Sequence, residues 1–65
     1  MKIWYDRETD TMEIRLRDDR IKDSDEVRPG VIAAFGYDGG IVRFEILDAS
    51  KSVEDPLSVT LATTA

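Results

Sequence analysis

Glu45 and Asp48, in the run Val42–Ser50 (VRFEILDAS), are the two residues of this chain best spaced for acid–base chemistry. A working carboxylate pair needs unequal environments, with one member held in a cleft that raises its pKa. Alternation along the run instead puts Glu45 on the outward side of a strand and Asp48 just past its end. The expectation is that Glu45 pairs across a sheet with a cation such as Arg43 or Arg15, and that Asp48 caps the following turn. The chain has no histidine and no cysteine, so the usual base near neutral pH is missing and no disulfide can form. Lys2, Lys22 and Lys51 all sit in polar settings. Asp6, Glu8, Asp10, Asp23, Asp25 and Asp38 include closely spaced carboxylates, yet none follows the twelve-residue calcium loop. Gly30, Gly36, Gly39 and Gly40 do not make a phosphate loop; they fit turns, with Gly36 a candidate bulge or close-packing position. No catalytic, cofactor or metal residue is assigned, and the chain reads as a non-enzyme.

The elements that must position these residues are strands. In TMEIRLR, Met12, Ile14 and Leu16 alternate with Glu13, Arg15 and Arg17, the pattern of a half-buried strand. KIWYD upstream and the polar loop DRETD complete a hairpin, predicting Tyr5 opposite Met12, Ile3 opposite Ile14 and Trp4 opposite Glu13. Asp18–Asp25 is nearly all charged and suits a solvated connection or a charged edge strand. A short strand around Glu26 and Val27 follows, and Pro29-Gly30 suits a type II turn. A second hairpin joins VIAAFGY to IVRFEIL through Asp38-Gly39, read as a two-residue type I′ turn. That turn predicts Phe35 opposite Val42, Ala33 opposite Phe44 and Val31 opposite Ile46. On the other face it predicts Gly36 opposite Ile41, Ala34 opposite Arg43 and Ile32 opposite Glu45. DASK reads as a turn or a single helical turn, and Asp55-Pro56 as the start of a short C-terminal helix. The predicted architecture is mainly β: a single antiparallel sheet of four to five strands built from two hairpins. Residues 1–51 form the β domain, and residues 52–65 are a tail or short helix packing on the sheet or a partner.

Fourteen acidic against nine basic residues give 65 residues a net charge of −5 and a pI near 4.5. That balance disfavours phosphate backbones and favours a basic protein partner. So short a chain buries only ~60% of its unfolded surface, and without disulfides or histidine ligands the remaining helper is oligomerisation. No apolar run approaches the ~20 residues that cross a bilayer, so no membrane role is expected and the cytoplasm is the expected location.

The segments YDRETDTMEIRL, EVRPGV and YDGGIVRFEILDASK, in that order and spacing, resemble a family of small bacterial and archaeal proteins grouped as domain of unknown function 2283. The resemblance covers roughly Met1–Lys51. It implies a compact antiparallel β protein, and some relatives look like partners of a toxin-like nuclease, which implies an antitoxin-like role. Arg7 departs from an expected proline, and Ala34-Phe35-Gly36 is less acidic than the commoner aspartate-containing strand.

The outward face is unusual for a sheet with one buried side. Trp4, Arg15, Ile32, Ala34, Ile41, Arg43, Glu45 and Leu47 mix aromatic, aliphatic and arginine side chains there, as protein interfaces do. That face is an interface, or the tail covers part of it through Leu57, Val59 and Leu61, and both can hold at once. The leading expectation is a non-enzymatic interaction protein, a homo-oligomer with a dimer favoured, that neutralises a basic toxin-like partner. The alternative is a nucleic-acid- or small-ligand-binding sheet that uses Trp4 and the outward arginines.

Overall fold

The computed structural model describes residues 1–64. Five strands, β1 (Lys2–Asp6), β2 (Thr11–Arg15), β3 (Ile21–Arg28), β4 (Val31–Gly36) and β5 (Ile41–Ile46), precede one helical turn, α1 (Ala49–Ser52). The strands form a single sheet in the order β1-β2-β5-β4-β3, and every neighbouring pair is antiparallel. The mainly β expectation therefore holds, with five strands. Among the described residues no helix is long and apolar enough to cross a membrane.

The first hairpin has the predicted register, with Ile3 on Ile14, Trp4 on Glu13 and Tyr5 on Met12. Alternation fixes it, because a one-residue slip would expose Ile14 and bury Glu13. The later part of the charged segment, from Ile21, and the strand expected around Glu26 and Val27 form one eight-residue edge strand, β3, exposed along its whole length. Its alternate carboxylates keep a foreign strand from pairing with that edge. Gly30 joins it to β4 with φ +78°, as the third residue of a type II turn requires.

The second hairpin departs from the predicted turn. Val31, Ile32, Ala33 and Ala34 pair with Ile46, Glu45, Phe44 and Arg43 as expected, but Phe35 then pairs with Ile41 across a bulge. The loop has three residues, not two: the Gly36 N–H donates to the Gly40 carbonyl at 2.9 Å and the Gly39 N–H to the Gly36 carbonyl at 3.1 Å. A type I′ turn needs positive φ at both central residues. Only Gly39 has it, at +84°; Asp38 does not. A type I turn closed by a left-handed glycine results, and β5 absorbs the offset as an extra residue at Val42.

Asp55-Pro56 starts no helix. The Ser58 N–H donates to the Asp55 carbonyl at 3.1 Å and the Leu57 N–H to the Asp55 carboxylate at 3.1 Å, which makes one turn only. The β-branched Val59 and Thr60 beyond it are poor helix formers. Leu57, Val59 and Leu61 are 66, 61 and 81% exposed, so they bury no face of the sheet. Over its described part the tail expected at 52–65 holds the last residue of α1, a bend and the turn at Asp55, with no further helix or strand; Ala65 lies outside the described residues.

The core is thin. Register and alternation put Ile3, Tyr5, Met12, Ile14, Val31, Ala33, Phe35, Val42, Phe44 and Ile46 on one face, which we call the inner face. Only Met12, Ala33 and Val42 among them are buried; the others remain half-buried. Among the described residues no second layer lies on either face, and the molecule measures 34 × 32 × 18 Å. Its radius of gyration is 12.6 Å, against about 11 Å for a compact chain of this length.

Candidate interaction surfaces

Two rows of side chains cross the outer face. Trp4, Glu13, Glu45, Ile32 and Glu26 line up through successive strand pairs, and Lys2, Arg15, Arg43, Ala34 and Ser24 form the row beside them. Like charges meet directly across strands in both rows, which alone is unfavourable. Contacts between the rows compensate. Glu13 accepts from Arg15 at 3.1 Å and from Arg43 at 3.4 Å, and Arg15 also lies 3.6 Å from Asp18. Trp4, 43% exposed, has the Lys2 ammonium 5.3 Å and the Arg15 guanidinium 5.1 Å from its ring centre, within cation–π range.

Seven of the eight predicted interface residues are brought to this face or its margin. Trp4, Arg15, Ile32, Ala34, Arg43 and Glu45 lie in the two rows. Leu47, 39% exposed, follows β5 and donates its N–H to the Gly30 carbonyl at 2.8 Å. Ile41 is separated from them, because the bulge pairs it with Phe35. Glu45 was expected to find a cation, yet its neighbour across the strand is Glu13, which takes both arginines instead. Among the described residues Glu45 has no ion pair. It lines a groove of about 380 Å³ with Trp4, Asp6, Thr9, Thr11 and Glu13. Across Trp4 lies a smaller groove of about 200 Å³, lined by Met1, Lys2, Arg15, Arg17 and Asp18. Among the described residues no three carboxylates converge as metal ligands.

Two further clusters hold the sheet's margins. Asp48 does not cap the turn after β5: its φ of 49° is left-handed, and its side chain makes no capping bond. The cap comes from Asp10, itself left-handed at 53° and placed at the end of the β1–β2 loop. The Asp10 carboxylate accepts from the Ser50 N–H at 3.0 Å, the Ser50 hydroxyl at 2.6 Å and the Tyr5 hydroxyl at 2.6 Å. The Asp10 carbonyl takes the Ala49 N–H at 2.8 Å, and Ala49 is fully buried. The Ser50 and Tyr5 donors hold the Asp10 carboxyl below its ordinary pKa. The same bond to Asp10 raises the Tyr5 pKa, since the ionised phenol could no longer donate. A carboxylate so well solvated by donors is a weak base; the arrangement fastens chain to chain.

The second cluster ties the β2–β3 connection to the β4–β5 loop. Arg17 makes a bidentate pair with Asp38 at 2.9 and 2.7 Å, a geometry stronger than a single charged contact. Asp38 also accepts the Gly40 N–H at 2.9 Å. The Arg17 pair holds the Asp38 carboxyl far below the usual carboxylate range, and that pair in turn raises the Arg17 pKa. Arg20 lies 4.8 Å from the Tyr37 ring centre. A Cβ at Gly36 or Gly40 would meet the Arg17 guanidinium at 3.2 or 3.0 Å, so both glycines leave room for it. Gly36 was read from the sequence as a close-packing position, and it is one.

YDRETD and DASK, which carry much of the sequence resemblance, thus meet through Tyr5, Asp10 and Ser50. YDGG closes on Arg17. No curated protein and no solved structure matches the chain. One family model matches residues 2–50, from the start of β1 to Ser50 in α1, and the chain belongs to that family, a protein of unknown function designated DUF2283.

Proposed function

We propose that the chain is a non-enzymatic interaction protein of the cytoplasm that works as a homo-oligomer and presents its acidic exterior to a basic protein partner. The observation that carries this reading is a sheet without a second layer on either face among the described residues. The chain exposes 5184 Å², whereas a monomer of 7.3 kDa exposes roughly 4,200 Å². The exposed tail residues Leu57, Val59 and Leu61 contribute to the excess, as does sheet surface that a partner would cover.

For the basic partner, the support is electrostatic. The chain carries a net −5, and Glu45, which shares a groove with Trp4, has no cation of its own among the described residues. A lysine or arginine entering that groove would meet a carboxylate and an aromatic face together. The antitoxin-like version adds that the partner is a toxin-like nuclease. Light scattering tests the oligomer, which fails if the mass is that of one chain up to high micromolar concentration. Co-expression with the neighbouring reading frame tests the partner. A small basic product should co-purify and dissociate as salt rises; a neighbour that is absent, acidic or unbound removes the antitoxin-like version.

The nucleic-acid alternative draws its support from half-exposed Trp4 beside Lys2 and Arg15. It ranks second because Arg15, Arg17 and Arg43 each already have a carboxylate partner. Quenching of Trp4 fluorescence by oligonucleotides at physiological salt would reverse that order.

A further inference from the structure

We infer that two copies of this chain pack inner face to inner face, as a ten-stranded β-sandwich, leaving the Trp4 face outward. The inference rests on the oligomer reading above and names the surface. Three features select this face over the others.

The first is chemistry. Between β1, β2, β5 and β4 the inner face carries no charged side chain: Ile3, Tyr5, Met12, Ile14, Val31, Ala33, Phe35, Val42, Phe44 and Ile46 make it up. A face meeting its own copy around a two-fold axis must be self-complementary. An uncharged surface meets that demand, whereas two chains of net charge −5 repel through most other surfaces. Asp23 and Asp25 of β3 stand opposite Phe35 and Ala33, at the margin of the face, where an interface carries its polar rim.

The second is the obstacle that two other surfaces present. Face-to-face contact through the outer side would bury Glu13, Arg15, Arg43 and Glu45, and desolvating such charges costs more than their pairing returns unless every one is well partnered. Edge-to-edge pairing through β3 meets eight exposed residues, IKDSDEVR, a sequence that resists strand addition. The inner face has neither obstacle.

The third is area. The surplus of exposed surface over a compact monomer is about 1,000 Å² per chain, tail and sheet together, and a stable interface of ordinary size takes about 800 Å² from each partner. Aligned sheets about 10 Å apart interdigitate their inner side chains. In that arrangement half-buried Phe44, Ile14 and Ile46 acquire the second layer that they lack in one chain.

The test uses the native chain. A mixture of isotope-labelled and unlabelled protein, examined by isotope-filtered NMR, should give intermolecular contacts from Ile14, Phe44 and Ile46. Contacts from Trp4 or Ile32 instead would overturn the inference while leaving the oligomer reading intact, and so would a dimer without inner-face contacts. A monomeric mass by light scattering would overturn both. In sedimentation, Phe44→Glu should weaken association by more than about thirtyfold, as loss of a central aromatic anchor does. Ile32→Glu, on the outer face, should leave it unchanged. Circular dichroism of each variant separates lost association from lost folding, and a folded, fully dimeric Phe44→Glu variant would also overturn the inference.

Discussion

Asp10 does more at the residue scale than any other carboxylate among the described residues. It takes three donors, two from Ser50 and one from Tyr5, and it closes the β1–β2 loop against the turn that follows β5. Its folded pKa lies below its ordinary 3.8. A depressed carboxyl contributes stability above its unfolded pKa and loses it as pH falls toward the folded value. Tyr5 has the opposite sign, because its folded pKa lies above 10.0: its contribution is present below pH 10 and lost as pH rises through the raised value. Thermal stability should therefore fall at both ends of the pH range, below about pH 4 and above about pH 10. Asp10→Asn should lower the melting temperature at neutral pH and flatten the acid limb, since the titrating group is gone. Asp38 is depressed too, by Arg17 first and by the Gly40 N–H, so a residual acid slope should persist in Asp10→Asn and shrink when Arg17→Met is added. An acid limb identical in the wild type and Asp10→Asn would show that Asp10 is not held by its donors.

At the scale of elements, the two hairpins differ in how much of them was legible. Period-two alternation fixed the β1–β2 register and, through Val31 to Ala34, most of β4–β5, because a slip in either moves apolar side chains into water. Asp38-Gly39 was ambiguous, since the dipeptide suits both a two-residue type I′ turn and a three-residue loop with a left-handed glycine. Arg17 favours the second, as its guanidinium needs Asp38 in place and two glycines beside it. That partner lies 21 residues away from Asp38, and Ser50 lies 40 from Asp10; spacing along the chain carries no trace of either contact. The outer-face set was legible for the same reason as the register, and Ile41 was lost to it with the bulge. Gly39 gives a direct check of the loop type. Its φ is +84° and nothing stands within 4 Å of a Cβ placed there, so Gly39→Ala pays only for conformation. Urea unfolding should show a loss of about 1 kcal/mol. Asp38→Gly, harmless in a type I′ turn, should instead release Arg17 and the β2–β3 connection. Faster hydrogen exchange at the Arg20 amide, whose N–H the Asp19 carboxylate accepts within that connection, would report that release.

The whole molecule is a sheet with a thin core, and that has a consequence for its stability. Met12, Ala33, Ala34, Val42 and Ala49 are its buried apolar residues among those described, and three of them are alanines with little surface to hide. A core so small rarely leaves more than ~3–5 kcal/mol in a chain of this size. If the inner face closes on a second copy, association stabilises the folded chain, and apparent stability follows chain concentration. Each tenfold rise in concentration then adds about 1.4 kcal/mol to the folded dimer. The melting temperature should climb by a few degrees for every tenfold step between low and high micromolar chain, and unfolding should stay a single cooperative transition. Val42→Ala, which removes the bulkiest fully buried side chain, should cost about 2 kcal/mol and move the whole curve down without changing its dependence on concentration. Phe44→Glu should abolish that dependence. Native protein with a melting temperature independent of concentration over that range would mean that the exposed inner face is the working state of a monomer, and the search for what covers it would turn to the basic partner alone.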